Sequence, residues 1–221
     1  MRLVWCVLLV LAVAGHAVSA AEKEPNDVND PNYPSDPNKL LQLKWDAVTS
    51  VLQNKELDQK AKDKQVDKIV SPIFDFALMA KLALGREHWP KLTGPQREKF
   101  THLFVQRLKT SYQEKVALYT DEKAVFKRPV QKQQKKIIHI PMDLISRDKK
   151  VDVLYKLRQV DERRKVKVDE GCAKVEKRWK IYDVEIQGVS ILLTYRSQFD
   201  DILRSGTVED LLLRLEAPPP R

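Results

Sequence analysis

The sequence predicts an α+β domain, and three observations predict it. Apolar residues recur at three- and four-residue steps up to about residue 120, alternate with a period of two from about residue 124, and return to helical spacing after residue 190. Leu40, Leu41, Trp45, Val48 and Leu52 mark a first amphipathic helix. Leu57, Ala61, Val66, Ile69 and Val70 mark a second, ending before Ser71-Pro72. A third runs through Phe74, Phe76, Ala77, Leu78, Ala80 and Leu82 to Gly85, a C-terminal stop. The fourth opens on a capping-box pattern, Thr93 with Gln96, and has Pro95 in its first turn. Its apolar face is Phe100, Leu103, Phe104, Leu108, Tyr112, Val116 and Tyr119.

Val125 and Phe126 begin the strand region. Ile138, Ile140, Met142 and Leu144 alternate with Ile137, His139, Pro141 and Asp143, and Val151, Val153, Tyr155 and Leu157 alternate with Asp152, Leu154, Lys156 and Arg158. Arg147-Asp148-Lys149-Lys150 joins the two runs as the turn of an antiparallel hairpin. A later strand, Arg178 to Ile186, follows the polar span around Asp169-Glu170-Gly171. There Trp179 and Ile181 point to one face, and Tyr182, Val184 and Ile186 to the other. A strand apolar on both faces is covered on both sides or lines an internal cavity. Residues 190–204 and Val208 to Leu215 return to helix.

The ends of the chain carry an address. Met1-Arg2, an uncharged run from Leu3 to Val13 and the small residues Ala14 to Ala21 match the three regions of a secretory signal, with cleavage expected after Ala20. The run is too short for a spanning helix, which needs roughly 20 residues. Residues 21–38 are polar and proline-rich and are expected to form a disordered leader; 39–216 form a single domain, and 217–221 a frayed tail. The mature chain keeps one cysteine, Cys172, so no internal disulfide holds it and a buried or half-buried apolar role is expected.

The charge is concentrated. Residues 123–180 hold 19 Lys and Arg against 8 Asp and Glu, which accounts for the whole excess of the +9 net charge. Such a stretch suits phosphate head groups or an acidic protein surface, or is a set of solvated strand ends; nucleic acid is a poor partner for an exported chain. No nucleophile with an evident base, no phosphate loop and no metal-ligand spacing is present; His88, His102 and His139 lie far apart. The sequence thus offers no catalytic residue, metal or cofactor. Asp75 and Asp183 sit in apolar settings and must be paired or hydrogen-bonded. Helix capping or pairing with Arg196 accounts for them, and a general acid or base is the alternative.

Trp179-Lys180-Ile181-Tyr182-Asp183-Val184-Glu185-Ile186-Gln187-Gly188-Val189-Ser190, followed by Tyr195-Arg196-Ser197-Gln198-Phe199, resembles the C-terminal signature of the MlaC-type periplasmic phospholipid-transport family. Phe74-Asp75-Phe76, Met79-Ala80, Leu84-Gly85 and Trp89 resemble its first block; Thr93, Gln96-Arg97 and Phe100 resemble its second, which runs on through Phe104 and Tyr112. The resemblance implies an NTF2-like curved antiparallel sheet packed against a helical subdomain, enclosing an apolar pocket for phospholipid tails. It also implies a soluble periplasmic carrier with no cofactor and with phospholipid as cargo. Its partners would be an outer-membrane lipoprotein–porin complex and an inner-membrane ABC transporter with an MCE-domain subunit. The expected wall residues are Ile138, Ile140, Met142, Leu144, Val153, Tyr155 and Leu157, with Val184, Ile186 and Val189 opposite; alternation alone leaves open which strand face lines the pocket. A small-molecule enzyme on the same cone, using Asp75 or Asp183, and a ligand-free interaction module are the alternatives.

Overall fold

The structure is a computed structural model, and it describes residues 34–116, 122–131, 136–146, 149–164 and 174–217. The expected signal segment, the leader through residue 33, Tyr119, turn residues 147–148, the polar span 169–171, Cys172 and the tail from residue 218 lie outside the described residues.

Each helix starts where a side chain can satisfy its first amides. Asp36 opens α1 (Pro37–Gln53), its carboxylate accepting from the Asn38 and Lys39 amides at 2.7 and 3.0 Å. α1 thus begins inside the stretch expected as leader through residue 38, because Asp36-Pro37 is a cap followed by a first-turn proline. Asp58 caps α2 (Gln59–Val70) and Asp75 caps α3 (Phe76–His88). Ahead of α4 (Gly94–Val116), Thr93 and Gln96 close the capping box in both directions. Ser190 caps α5 (Ile191–Ser205), and Thr207 with Asp210 makes a second capping box at α6 (Val208–Glu216).

Between α4 and α5 the described residues form one antiparallel sheet of six strands: β1 (Lys123–Phe126), β2 (Val130–Gln131), β3 (Ile137–Ser146), β4 (Lys149–Arg164), β5 (Lys174–Ile186) and β6 (Val189–Ser190). The order is β1-β3-β4-β5-β6, with β2 also on β3. The hairpin pairs as the alternation predicts, with Met142 opposite Val153 and Ile140 opposite Tyr155.

The register of β4 on β5 shifts between Lys156 and Leu157: Lys156 faces Asp183, yet Leu157 faces Ile181, so Tyr182 is the extra residue of a bulge. This corrects the two-faced strand. Ile181 and Val184 would point oppositely in a regular strand, but the inserted residue re-phases them. Trp179, Ile181, Val184 and Ile186 are all buried in one core with Ile140, Met142, Val153 and Leu157.

That first core fills the space between the inner sheet face and α1–α2, where Leu40, Trp45, Val48, Val66 and Ile69 are buried. Trp45 meets Phe126 edge-on at 5.9 Å, and the Trp179 indole donates to the Ser35 carbonyl at 3.0 Å. A second core is wholly helical, built by α3–α6 around Phe100, Phe104 and Phe199. Phe74 and Ile191 pack against both. The architecture is the expected α+β one, a sheet against a helical subdomain.

Gly85 is the stop predicted in the third helix, although one further turn follows it to His88. Its φ is +79°, and a Cβ there would come within 2.9 Å of Arg196 Nε, whose guanidinium donates to the Leu82 carbonyl. Gly85→Ala is therefore expected to cost about 2 kcal/mol from the left-handed backbone and the displaced arginine, measured as a fall in the urea midpoint. An unchanged midpoint would mean that the kink is not required.

Candidate functional site

Where the inner sheet face and the helices fail to close on each other, they leave a cavity of about 110 Å³. Its floor is the sheet: Phe126, Tyr155, Ile181 and Val184. Helices form the wall, with Leu41, Trp45 and Val48 from α1, Val66 and Val70 from α2, and Met79 and Leu108 from α3 and α4. Ile73, Phe74, Phe76 and Ile191 fill the corners between the two cores.

Two cations interrupt this apolar lining, Lys44 and Lys109, and among the described residues no carboxylate belongs to it. Lys44 is 5% exposed, and burial draws its ammonium down to about 8. Lys109 is half-buried, holds Asp67 at 2.8 Å and lies 5.7 Å from the centre of the Phe76 ring. Burial also pushes the Tyr155 phenol well above its ordinary value, so it stays neutral. Chemically the arrangement can hold an apolar chain and can meet a negative charge.

Of the residues expected as wall, Tyr155 and Val184 line the cavity. Ile140, Met142, Leu144, Val153, Leu157 and Ile186 share their face but are packed into the adjoining core, and Ile138 is half-buried against it. Val189 is corrected: it is 48% exposed. Gln187 and Gly188 both have positive φ, so the chain reverses tightly there and carries Val189 to the edge strand β6. The sequence reading missed the helical wall. One signal was available, because Lys44 lies four residues from both Leu40 and Val48 and three from Leu41, inside an apolar stripe.

The two aspartates in apolar settings are both hydrogen-bonded and ion-paired, as burial requires. Asp75 accepts the Leu78 amide at 3.1 Å as the cap of α3, the first of the two roles expected, and its ion-pair partner is Arg158 where the sequence offered Arg196. Asp183 accepts from Lys156 Nζ at 3.0 Å, Ser190 Oγ at 2.8 Å and the Leu192 amide at 3.3 Å. Within the basic stretch, Lys127 and Lys150 both reach Asp143. Among the described residues no group of three His, Cys, Asp or Glu could hold a metal ion, and no helix is long and apolar enough to cross a membrane.

A family model described as MlaC protein matches residues 43–217. Among solved structures, a phospholipid-binding protein from Ralstonia solanacearum in complex with a phospholipid superposes with a TM-score of 0.65 at 20% sequence identity, covering 82% of this chain and 96% of that one. Among curated proteins none matches.

Proposed function

The chain belongs to the MlaC family, and on that premise we propose that it binds phospholipid by its acyl chains between the sheet and the α1–α2 wall. The observation that carries the proposal is the cavity itself, whose described lining is apolar but for two lysines. The Ralstonia solanacearum protein of the same fold, solved with a phospholipid, supports it. Two acyl chains present several hundred Å² of apolar surface, worth on the order of 10 kcal/mol at about 25 cal/mol per Å². A bilayer already buries that surface, so an equally apolar cavity makes transfer from membrane to protein close to neutral and holds the lipid against loss to water.

At about 110 Å³ the cavity is below the roughly 300–1,000 Å³ usual for small-molecule pockets. Loading therefore requires α1 and α2 to swing away from the sheet. These helices close the cavity mainly through side chains such as Trp45 and Val66, contacts that acyl chains can replace in kind. The exported carrier would work in the periplasm after cleavage near Ala20. It would pass lipid between an outer-membrane lipoprotein–porin complex and an inner-membrane ABC transporter with an MCE-domain subunit.

Lipid extracted from protein purified out of the periplasm is expected to show phospholipid at close to one molecule per chain by mass spectrometry. Protein that stays empty after isolation from a phospholipid-rich periplasm overturns the proposal.

A further inference from the structure

We propose that Tyr155 selects ester-linked cargo, its phenol donating a hydrogen bond to the ester carbonyl at the head of an acyl chain laid along the cavity floor. The inference deepens the phospholipid proposal and rests on it. Tyr155 stands on β4, between β3 and β5, directly opposite Ile140 on one side and Val184 on the other. Both neighbours are buried, and cross-strand partners share a face, so Tyr155 points inward with them. The surface it keeps open therefore belongs to the cavity that it lines.

Among the described residues its hydroxyl has no hydrogen-bond partner, and burial alone, with no bond or charge beside it, pushes the phenol upward. Tyr195 beside the helical core shows the usual arrangement, with its hydroxyl bonded to Ser111. Phenylalanine at position 155 would line the same floor without a polar group to desolvate. What the phenol offers the cavity is thus a neutral donor, and what it lacks is an acceptor that arrives with the ligand. An ester carbonyl meets that need. It carries no charge, so it enters an apolar cavity without a counter-ion, and it adjoins the first methylenes of the chain. Because Tyr155 belongs to the sheet floor and not to the helical wall, its hydroxyl keeps its place when α1 and α2 swing away.

The test loads the full-length exported protein from vesicles containing equal amounts of the diester and diether forms of one phosphatidylcholine, with identical heads and chain lengths. Bound lipid is quantified by mass spectrometry. Wild type is expected to favour the diester about fivefold, the worth of one neutral hydrogen bond. Tyr155→Phe should bring that ratio close to one by lowering diester uptake, with diether uptake and the urea midpoint no lower than in wild type. A merely structural role for the tyrosine would change both uptakes together and leave the ratio where it was. A wild-type ratio near one, or a folded Tyr155→Phe protein with the preference intact, overturns the inference and leaves the phospholipid proposal standing. Wild type that takes up neither lipid overturns both.

Discussion

Asp183→Ala is expected to lower stability by roughly 3 kcal/mol, at the lower end of the range for breaking a buried ion pair. The carboxylate is 5% exposed and joins three elements at once. It binds Lys156 of β4, the hydroxyl of Ser190 and the Leu192 amide in the first turn of α5. Ser190 Oγ in turn accepts the Leu193 amide at 3.1 Å, so the cap of α5 is oriented by Asp183. Alanine leaves Lys156 with Glu185 as its remaining anion, which is why the loss stays below the top of the range. Asp183→Asn, which keeps the size and one acceptor, should cost about half as much. Urea denaturation followed by circular dichroism checks both. A loss under about 1 kcal/mol for Asp183→Ala would show that the carboxylate is dispensable to the joint between sheet and helices.

The architecture was legible because its determinants are local. Period, capping residues and a short polar turn place α1–α6 and the β3–β4 hairpin, and Thr93 with Gln96 forms the box its spacing announces. The site was only half legible, for three physical reasons. A single bulge at Tyr182 reverses the facing of everything before it in β5, and no period-two count detects an inserted residue. Ion-pair partners are chosen by the fold, so Asp75 meets Arg158 across 83 positions while Arg196 turns to the Leu82 carbonyl. A cavity is a failure of packing between elements, and the helices that wall it look in sequence like any other core-facing helices. Lys44 was the exception, a charge inside an apolar stripe, legible from spacing alone.

Val184→Phe is expected to weaken phospholipid affinity by about a hundredfold while leaving the fold within about 1 kcal/mol of wild type. Val184 is 2% exposed, stands opposite Tyr155 in the sheet and forms part of the cavity floor. The larger side chain has four more carbons and open space in which to place them. It therefore escapes most of the roughly 1–3 kcal/mol that overpacking a filled core costs. Those carbons occupy the place of the first methylenes of an acyl chain, each worth about 0.8 kcal/mol, so excluding them removes about 3 kcal/mol of binding, a factor of about a hundred. Ile140→Phe is the matched control. Ile140 faces the same Tyr155 from the other side and is fully buried in the packed core, outside the cavity lining. It should therefore lose stability and spare lipid occupancy in the folded fraction. If Val184→Phe keeps its lipid and Ile140→Phe loses it, the acyl chains enter along β3 and the cavity beside α1 is not their seat. The expected order places the tails over β4 and β5 and makes the α1–α2 pair the wall that opens to admit them.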